Sequence, residues 1–324
     1  MYDNSAGNPR NPTNPPKRVT YGLGTTDEMC ELWLQVLPRT EQERAILLQD
    51  FQRKIFQDLA SDYERSVKAN PDNARSHYML GVGYQGLGDM DKAAYHFRQA
   101  LRVQPQLANA NNNLGLVLQA QGKTNEAIEH FRAAVKSQPD HEMAHHNLGL
   151  AMAQLGRIDD AIEHFRRSLA VNPDAATTRA LLARAYGEQG RLDEAIAEFE
   201  KASALRPGDG QLRFNLGVAY QIKGQTDKAI ECYRQALQWQ PDLAQAHNNL
   251  GMLLKGDEAI GHYREAVRIA PDYFEAHYNL ANALARQGNI NGAIKHLREV
   301  LRIRPNFDPA RQQLEALQRR DRTE

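Results

Sequence analysis

From residue 74 to residue 305 the chain repeats one pattern of apolar and polar positions. The prolines Pro71, Pro105, Pro139, Pro173, Pro207, Pro241, Pro271 and Pro305 set its frame, 34 residues apart except for one interval of 30. Count the third residue after each proline as position 1. Position 7 is then always Leu, and position 8 is small: Gly81, Gly115, Gly149, Ala183, Gly217, Gly251 and Ala281. Position 20 is always Ala, and position 24 is large: Phe97, Phe131, Phe165, Phe199, Tyr233, Tyr263 and Leu297. Positions 4, 7, 8 and 11 share one face of a first helix, and positions 20, 24, 27 and 28 share a face of a second. A glycine near position 15 (Gly88, Gly122, Gly156, Gly190, Gly224, Gly288) ends the first helix, because glycine takes positive φ readily. The proline ends the second.

Each block therefore predicts a helix hairpin. Small residues at positions 8 and 20 let the two backbones approach, and the large residue at position 24 fills the space beside them. One hairpin cannot bury its apolar face alone, whereas stacked neighbours bury a continuous core.

These coupled positions at one period resemble the tetratricopeptide repeat family over residues 74–305, in seven blocks. The resemblance implies an all-α fold, a right-handed α-solenoid of helix hairpins. The sixth block (Ala244–Ala270) lacks four residues, close to the 3.6 of one helical turn, so its faces should keep phase around a shortened first helix. Residues 306–324 read as a capping helix opened by Asp308-Pro309, with Ala310, Leu314 and Leu317 on one face. Residues 40–71 read as a helical lead-in. Thr40 and Glu43 form a capping box, and residues 58–69 look like the second helix of a degenerate leading repeat.

Residues 1–38 differ in kind, with an irregular, proline- and asparagine-rich beginning. The run Thr25-Thr26-Asp27-Glu28-Met29-Cys30, followed by Leu32-Trp33-Leu34, resembles the end of the catalytic core of copper type II, ascorbate-dependent monooxygenases. That resemblance makes Met29 a vestigial copper-ligand position. The family's copper also needs histidines upstream of it, and the first histidine here is His77. A thioether alone cannot hold copper. The expectation is thus no enzyme and no cofactor in this chain, with a copper monooxygenase-like parent as the alternative.

In the repeat family the first helices line an inner groove. Position 6 reads Met79, Asn113, Asn147, Leu181, Asn215, Asn249 and Asn279. An asparagine amide offers an acceptor and two donors, so it can pair with both polar groups of a peptide bond. The row resembles the asparagine ladder of the repeat domain in O-linked N-acetylglucosamine transferases. With Tyr78, Phe214 and Tyr278 beside it, the row predicts a scaffold that grips an extended peptide or protein segment through its main chain. Position 5 is not lysine in any block, which excludes the family's chaperone-tail clamp.

Eleven histidines raise the question of metal. Five hold position 23 and four hold position 4, so successive copies sit one hairpin apart, about 10 Å, too far for shared ligation at bonds of roughly 2 Å. They read as packing residues. His141-Glu142-Met143-Ala144-His145 matches a zinc-protease motif in letters, but it falls at a hairpin start and is taken as coincidence.

Lys and Arg number 40, Asp and Glu also 40, and no basic stripe runs along the groove, so nucleic acid is not an expected partner. No apolar stretch of about 18 residues predicts a membrane span. Cys30 and Cys232 are too few for a disulfide framework. The absence of an apolar signal core suggests cytoplasm, whereas a monooxygenase parent would suggest export. Weak self-association through exposed array ends is a further expectation.

Overall fold

The computed structural model describes residues 40–321, and among these it holds sixteen α-helices and no strand. The lead-in is one unbroken helix, α1 (Glu41–Ala69). Hairpins follow: α2 (Ala74–Gly86) with α3 (Met90–Val103), and α4 (Ala108–Ala120) with α5 (Thr124–Ser137). Next come α6 (Glu142–Gln154) with α7 (Ile158–Val171), and α8 (Ala176–Glu188) with α9 (Leu192–Leu205). Then α10 (Gly210–Ile222) pairs with α11 (Thr226–Trp239), α12 (Ala244–Leu253) with α13 (Gly256–Ile269), and α14 (Phe274–Arg286) with α15 (Ile290–Ile303). A final helix, α16 (Asp308–Asp321), packs on α15. The fold class is the all-α repeat array expected from the period. The chain divides into two compact units, residues 1–130 and 131–324, with the division inside α5. Met29, Cys30 and the whole Thr25–Pro38 stretch lie outside the described residues.

The helix ends follow local chemistry. Thr40 Oγ1 accepts from the Glu43 amide at 3.1 Å while the Thr40 amide donates to Glu43 Oε2 at 3.3 Å, completing the capping box. Asn73, Asp89, Asp209 and Asn289 cap α2, α3, α10 and α15 with their side chains. After α6, Gly156 takes φ +73°, so that its amide reaches Ala153 O and the Arg157 amide reaches Met152 O at 2.9 Å. Nothing lies within 4 Å of a Cβ built at Gly156. Gly156→Ala should therefore cost about 1 kcal/mol, all of it backbone strain. Urea denaturation of the full chain checks this; a loss several times larger would mean that the turn is held by packing.

The core forms where position 8 meets position 24. In the first unit a Cβ at Gly81 would fall 2.6 Å from the Phe97 ring. In the second unit, Gly149 stands against Phe165 and Gly217 against Tyr233 at 2.7 Å each, and Gly251 against Tyr263 at 2.8 Å. The aromatic ring lies directly on the facing helix backbone, so position 8 has little room for a side chain. Within the second unit, Ala183, Phe199, Leu216, Tyr233 and Leu250 join one continuous cluster across three hairpins. Side chains at the first-helix ends also reach back one hairpin. Gln189 donates to Asp159 at 2.6 Å, Gln287 donates to Asp257 at 2.7 Å, and Lys223 pairs with Asp193.

The sixth block keeps its faces. Its first helix, α12, has 10 residues where the others have 13, and the turn is rebuilt from extended Leu254 and Lys255 with Gly256 at φ +61°. Both helices of the block remain inside the second unit. Losing about one turn left the next apolar face in register.

Candidate functional site

The surface made by the first helices of the second unit (α6, α8, α10, α12 and α14) carries most of the asparagine row. Asn147 is only 4 % exposed, whereas Asn215, Asn249 and Asn279 are half-buried. Their amides do not stand apart. Asn279 Nδ2 donates to Asn248 Oδ1 at 2.9 Å, and Asn248 Nδ2 donates to Asn249 Oδ1 at 3.3 Å. Asn249 Nδ2 donates to the Tyr233 hydroxyl at 3.3 Å, which in turn donates to Gln221 Oε1 at 2.5 Å. This relay crosses three consecutive hairpins. Burial pushes the Tyr233 phenol up to about 12, so it stays a neutral donor. Each polar group in the relay fixes the orientation of the next.

Two groups are left over. Asn279 keeps its carbonyl oxygen, and Asn215, whose Oδ1 accepts from Gln211 Nε2 at 3.1 Å, keeps its amide hydrogens. On the same first helices, Ile222 of α10 and Met252 of α12 are 66 % and 53 % exposed. Phe214 packs on Tyr233 with ring centroids 5.7 Å apart, and Tyr278 packs edge-on against Phe307 at 5.2 Å. Further up the same face, His146 Nδ1 lies 2.8 Å from Thr178 Oγ1. In the first unit, Asn113 Oδ1 accepts from Asn112 Nδ2 at 3.1 Å and the Tyr78 phenol bonds Asn113 as well.

The histidines occupy a second arrangement that the period alone does not reveal. Position 4 meets position 23 of its own hairpin. His77 and His96 approach Nδ1 to Nδ1 at 3.1 Å, His145 and His164 at 3.1 Å, His247 and His262 at 3.0 Å, and His277 and His296 at 2.9 Å. Asn111 with His130, at 3.0 Å, and Arg179 with Glu198, at 2.6 Å, fill the same two places elsewhere. Position 4 also bonds the carbonyl of the proline before its helix, from Pro71 O at 2.9 Å for His77 to Pro241 O at 3.1 Å for His247. The signal in the sequence was the joint recurrence of these residues 19 apart, or 15 in the shortened block.

His141 caps α6 by accepting from the Ala144 amide at 3.1 Å, while His145 turns away to His164, so the two histidines of the zinc-like motif do not converge. Among the described residues no three His, Cys, Asp or Glu side chains converge on a common point. Cys232 is buried, and burial pushes its thiol up to about 11. No described helix is long and apolar enough to cross a membrane.

Models of the tetratricopeptide repeat match residues 106–174, 140–208 and 174–239, and further ones match 255–317, 223–273 and 84–122. No curated protein matches the sequence. Among solved structures, the chain is similar to YrrB, described as a TPR protein with an unusual peptide-binding site: 22 % identity over 58 % of this chain and 96 % of that one, TM-score 0.53. It is also similar to the C-terminal part of a TPR repeat-containing protein from Cytophaga hutchinsonii, at 15 % identity over 74 % and 98 % of the two chains, TM-score 0.60. Yeast Tom70 aligns at 17 % identity over 88 % of this chain and 62 % of its own, TM-score 0.50. These likenesses are of fold.

Proposed function

We propose, given that the chain belongs to the tetratricopeptide repeat family, that it is an interaction scaffold and that the first-helix face of its second unit holds an extended protein segment. The observation that carries this reading is the relay from Asn279 to Gln221. It holds side-chain amides in fixed orientations across neighbouring hairpins and leaves an acceptor at Asn279, while the separate bond from Gln211 leaves donors at Asn215. A fixed amide pairs with main-chain N–H and C=O at less entropic cost than a mobile one. Met252, Ile222 and the half-buried Phe214 and Tyr278 would take apolar side chains of the same segment. With few charges on this face, the reading favours an uncharged, extended partner. The peptide-binding site named for YrrB is in keeping with it.

A phage-displayed library of linear peptides, panned on the full chain, tests the proposal. Wild-type protein should enrich apolar linear sequences, and the variant Asn215→Ala/Asn249→Ala/Asn279→Ala should bind those peptides at least tenfold more weakly. Asn215→Ala should leave the thermal midpoint nearly unchanged, while Asn249→Ala and Asn279→Ala should each lower it slightly through the bonds to Tyr233 and Asn248. Undiminished binding by the triple variant would make the row purely structural. The alternative, a chain derived from a copper monooxygenase-like protein, rests on the Thr25–Pro38 run alone. An open frame with His-x-His codons upstream of the Met1 codon would favour it.

A further inference from the structure

The position-4 bonds fix histidine tautomers. A proline carbonyl only accepts, so His77, His145, His247 and His277 carry their hydrogen on Nε2 and turn a bare Nδ1 toward the partner ring. The partner at position 23 must then donate from Nδ1–H. Ring centroids 5.1–5.4 Å apart exceed the N···N distances by about one ring width, so the two nitrogens point straight at each other. A metal bridging two nitrogens in line would need them roughly 4 Å apart. A hydrogen fits this gap and a metal does not.

The two rings differ in what a proton does to them. At position 23 a proton adds to Nε2 and leaves the hydrogen bond standing. At position 4 only Nδ1 is open, and a proton there faces the partner's N–H. We propose that His77–His96, His145–His164, His247–His262 and His277–His296 are acid-sensitive clasps, which join the two helices of their hairpins when neutral and release them when doubly protonated.

The surroundings do not rescue the charged pair. Glu64 of α1 and Lys92 face His96 with opposite signs. Asp160, Glu163 and Arg167 surround His164, and His141 stands near His145. Arg234, Glu258 and Glu265 face His262, while Arg264, Lys295 and Glu299 face His296. Burial first, and the facing histidine second, push His96 and His296 down to about 4. The same two causes hold His164 and His262 below the ordinary imidazole range. An unfolded histidine takes its proton near 6.5. Between those values the unfolded chain binds more protons than the closed clasp, so stability is full above about pH 6.5 and falls as pH drops toward 4. Each extra proton taken up on unfolding shifts the folding constant tenfold per pH unit.

The chain itself supplies the control, because Asn111 makes both position-4 bonds without a titrating group. The thermal midpoint of the full chain should fall steeply from pH 8 to pH 5. In the variant His77→Asn/His145→Asn/His247→Asn/His277→Asn the fall should be shallower, since His96, His164, His262 and His296 then face a neutral amide and lose the second of the two causes that hold them down. Equal falls in the two proteins would overturn the proposal. Should the variant fail to fold, nitrogen-15 imidazole spectra of the wild type decide. The position-4 rings are expected to show the Nε2–H tautomer at pH 8, and titration of the position-23 rings near 6.5 in a chain that remains folded would refute the clasp.

Discussion

Phe165→Ala should destabilise the second unit by about 3–5 kcal/mol, the range for removing a fully buried aromatic ring. Phe165 is 1 % exposed, and its ring lies against the α6 backbone at Gly149 and beside His146. Nothing can collapse into the vacated space, because position 8 carries no side chain and Ala161 on the same helix face is already fully buried. In a repeat array each hairpin leans on its neighbours, so the loss should show as early unfolding around α6 and α7. Urea denaturation gives the magnitude, and amide exchange should place the weakest protection at residues 142–171. A loss below about 1 kcal/mol would mean that the ring is not what joins the hairpin. The seventh block offers a milder solution, Leu297 opposite Ala281. Phe165→Leu should thus cost only about 1–2 kcal/mol. Adding Gly149→Ala to it should recover part of that loss. With the ring gone, the new methyl loses its 2.7 Å clash and keeps only the tight approach to Ala161 O at 3.2 Å, against which replacing a mid-helix glycine contributes roughly 0.5–1 kcal/mol.

That coupling between positions 8 and 24 was legible in the sequence because both residues are apolar and recur on one period. Position 8 is small in every block and position 24 is large, Ala183 with Phe199 and Ala281 with Leu297 included. The shortened helix α12 was legible for the same reason, since a deletion of about one turn preserves the faces. The histidine pairs were not. Reading His77, His145 and His277 down the period compares residues of different hairpins, whereas their partners lie across the turn of the same hairpin. Likewise, the bond from Asn279 to Asn248 joins position 6 of one block to position 5 of the block before, a pairing visible only once two first helices lie side by side. The division of the chain at residue 130 leaves no mark at all, because Phe131 fills position 24 as regularly as its counterparts do.

Glu198→Ala should cost about 2–4 kcal/mol, and more than Arg179→Ala. Arg179 and Glu198 occupy the clasp positions of the fourth block at 2.6 Å, their side chains 16 % and 13 % exposed. Removing the carboxylate leaves a half-sequestered guanidinium with the Pro173 carbonyl, 2.8 Å from Nε, as its remaining partner. Removing the guanidinium leaves Glu198 still paired with Lys201 at 2.6 Å, so the uncompensated charge is smaller. Thermal denaturation of the two single variants reads the difference, and equal losses would mean that both side chains act through packing alone. The double variant Arg179→His/Glu198→His transplants the clasp of the third block. At pH 8 it should sit within about 1 kcal/mol of wild type, because a neutral imidazole pair makes the same link between helices and the same bond to the proline carbonyl. At pH 5 it should fall well below wild type, since the transplanted pair is then opposed by proton uptake on unfolding while an ion pair is not. Two residue pairs of different chemistry in one structural slot would then differ in a single respect, the pH at which the hairpin lets go.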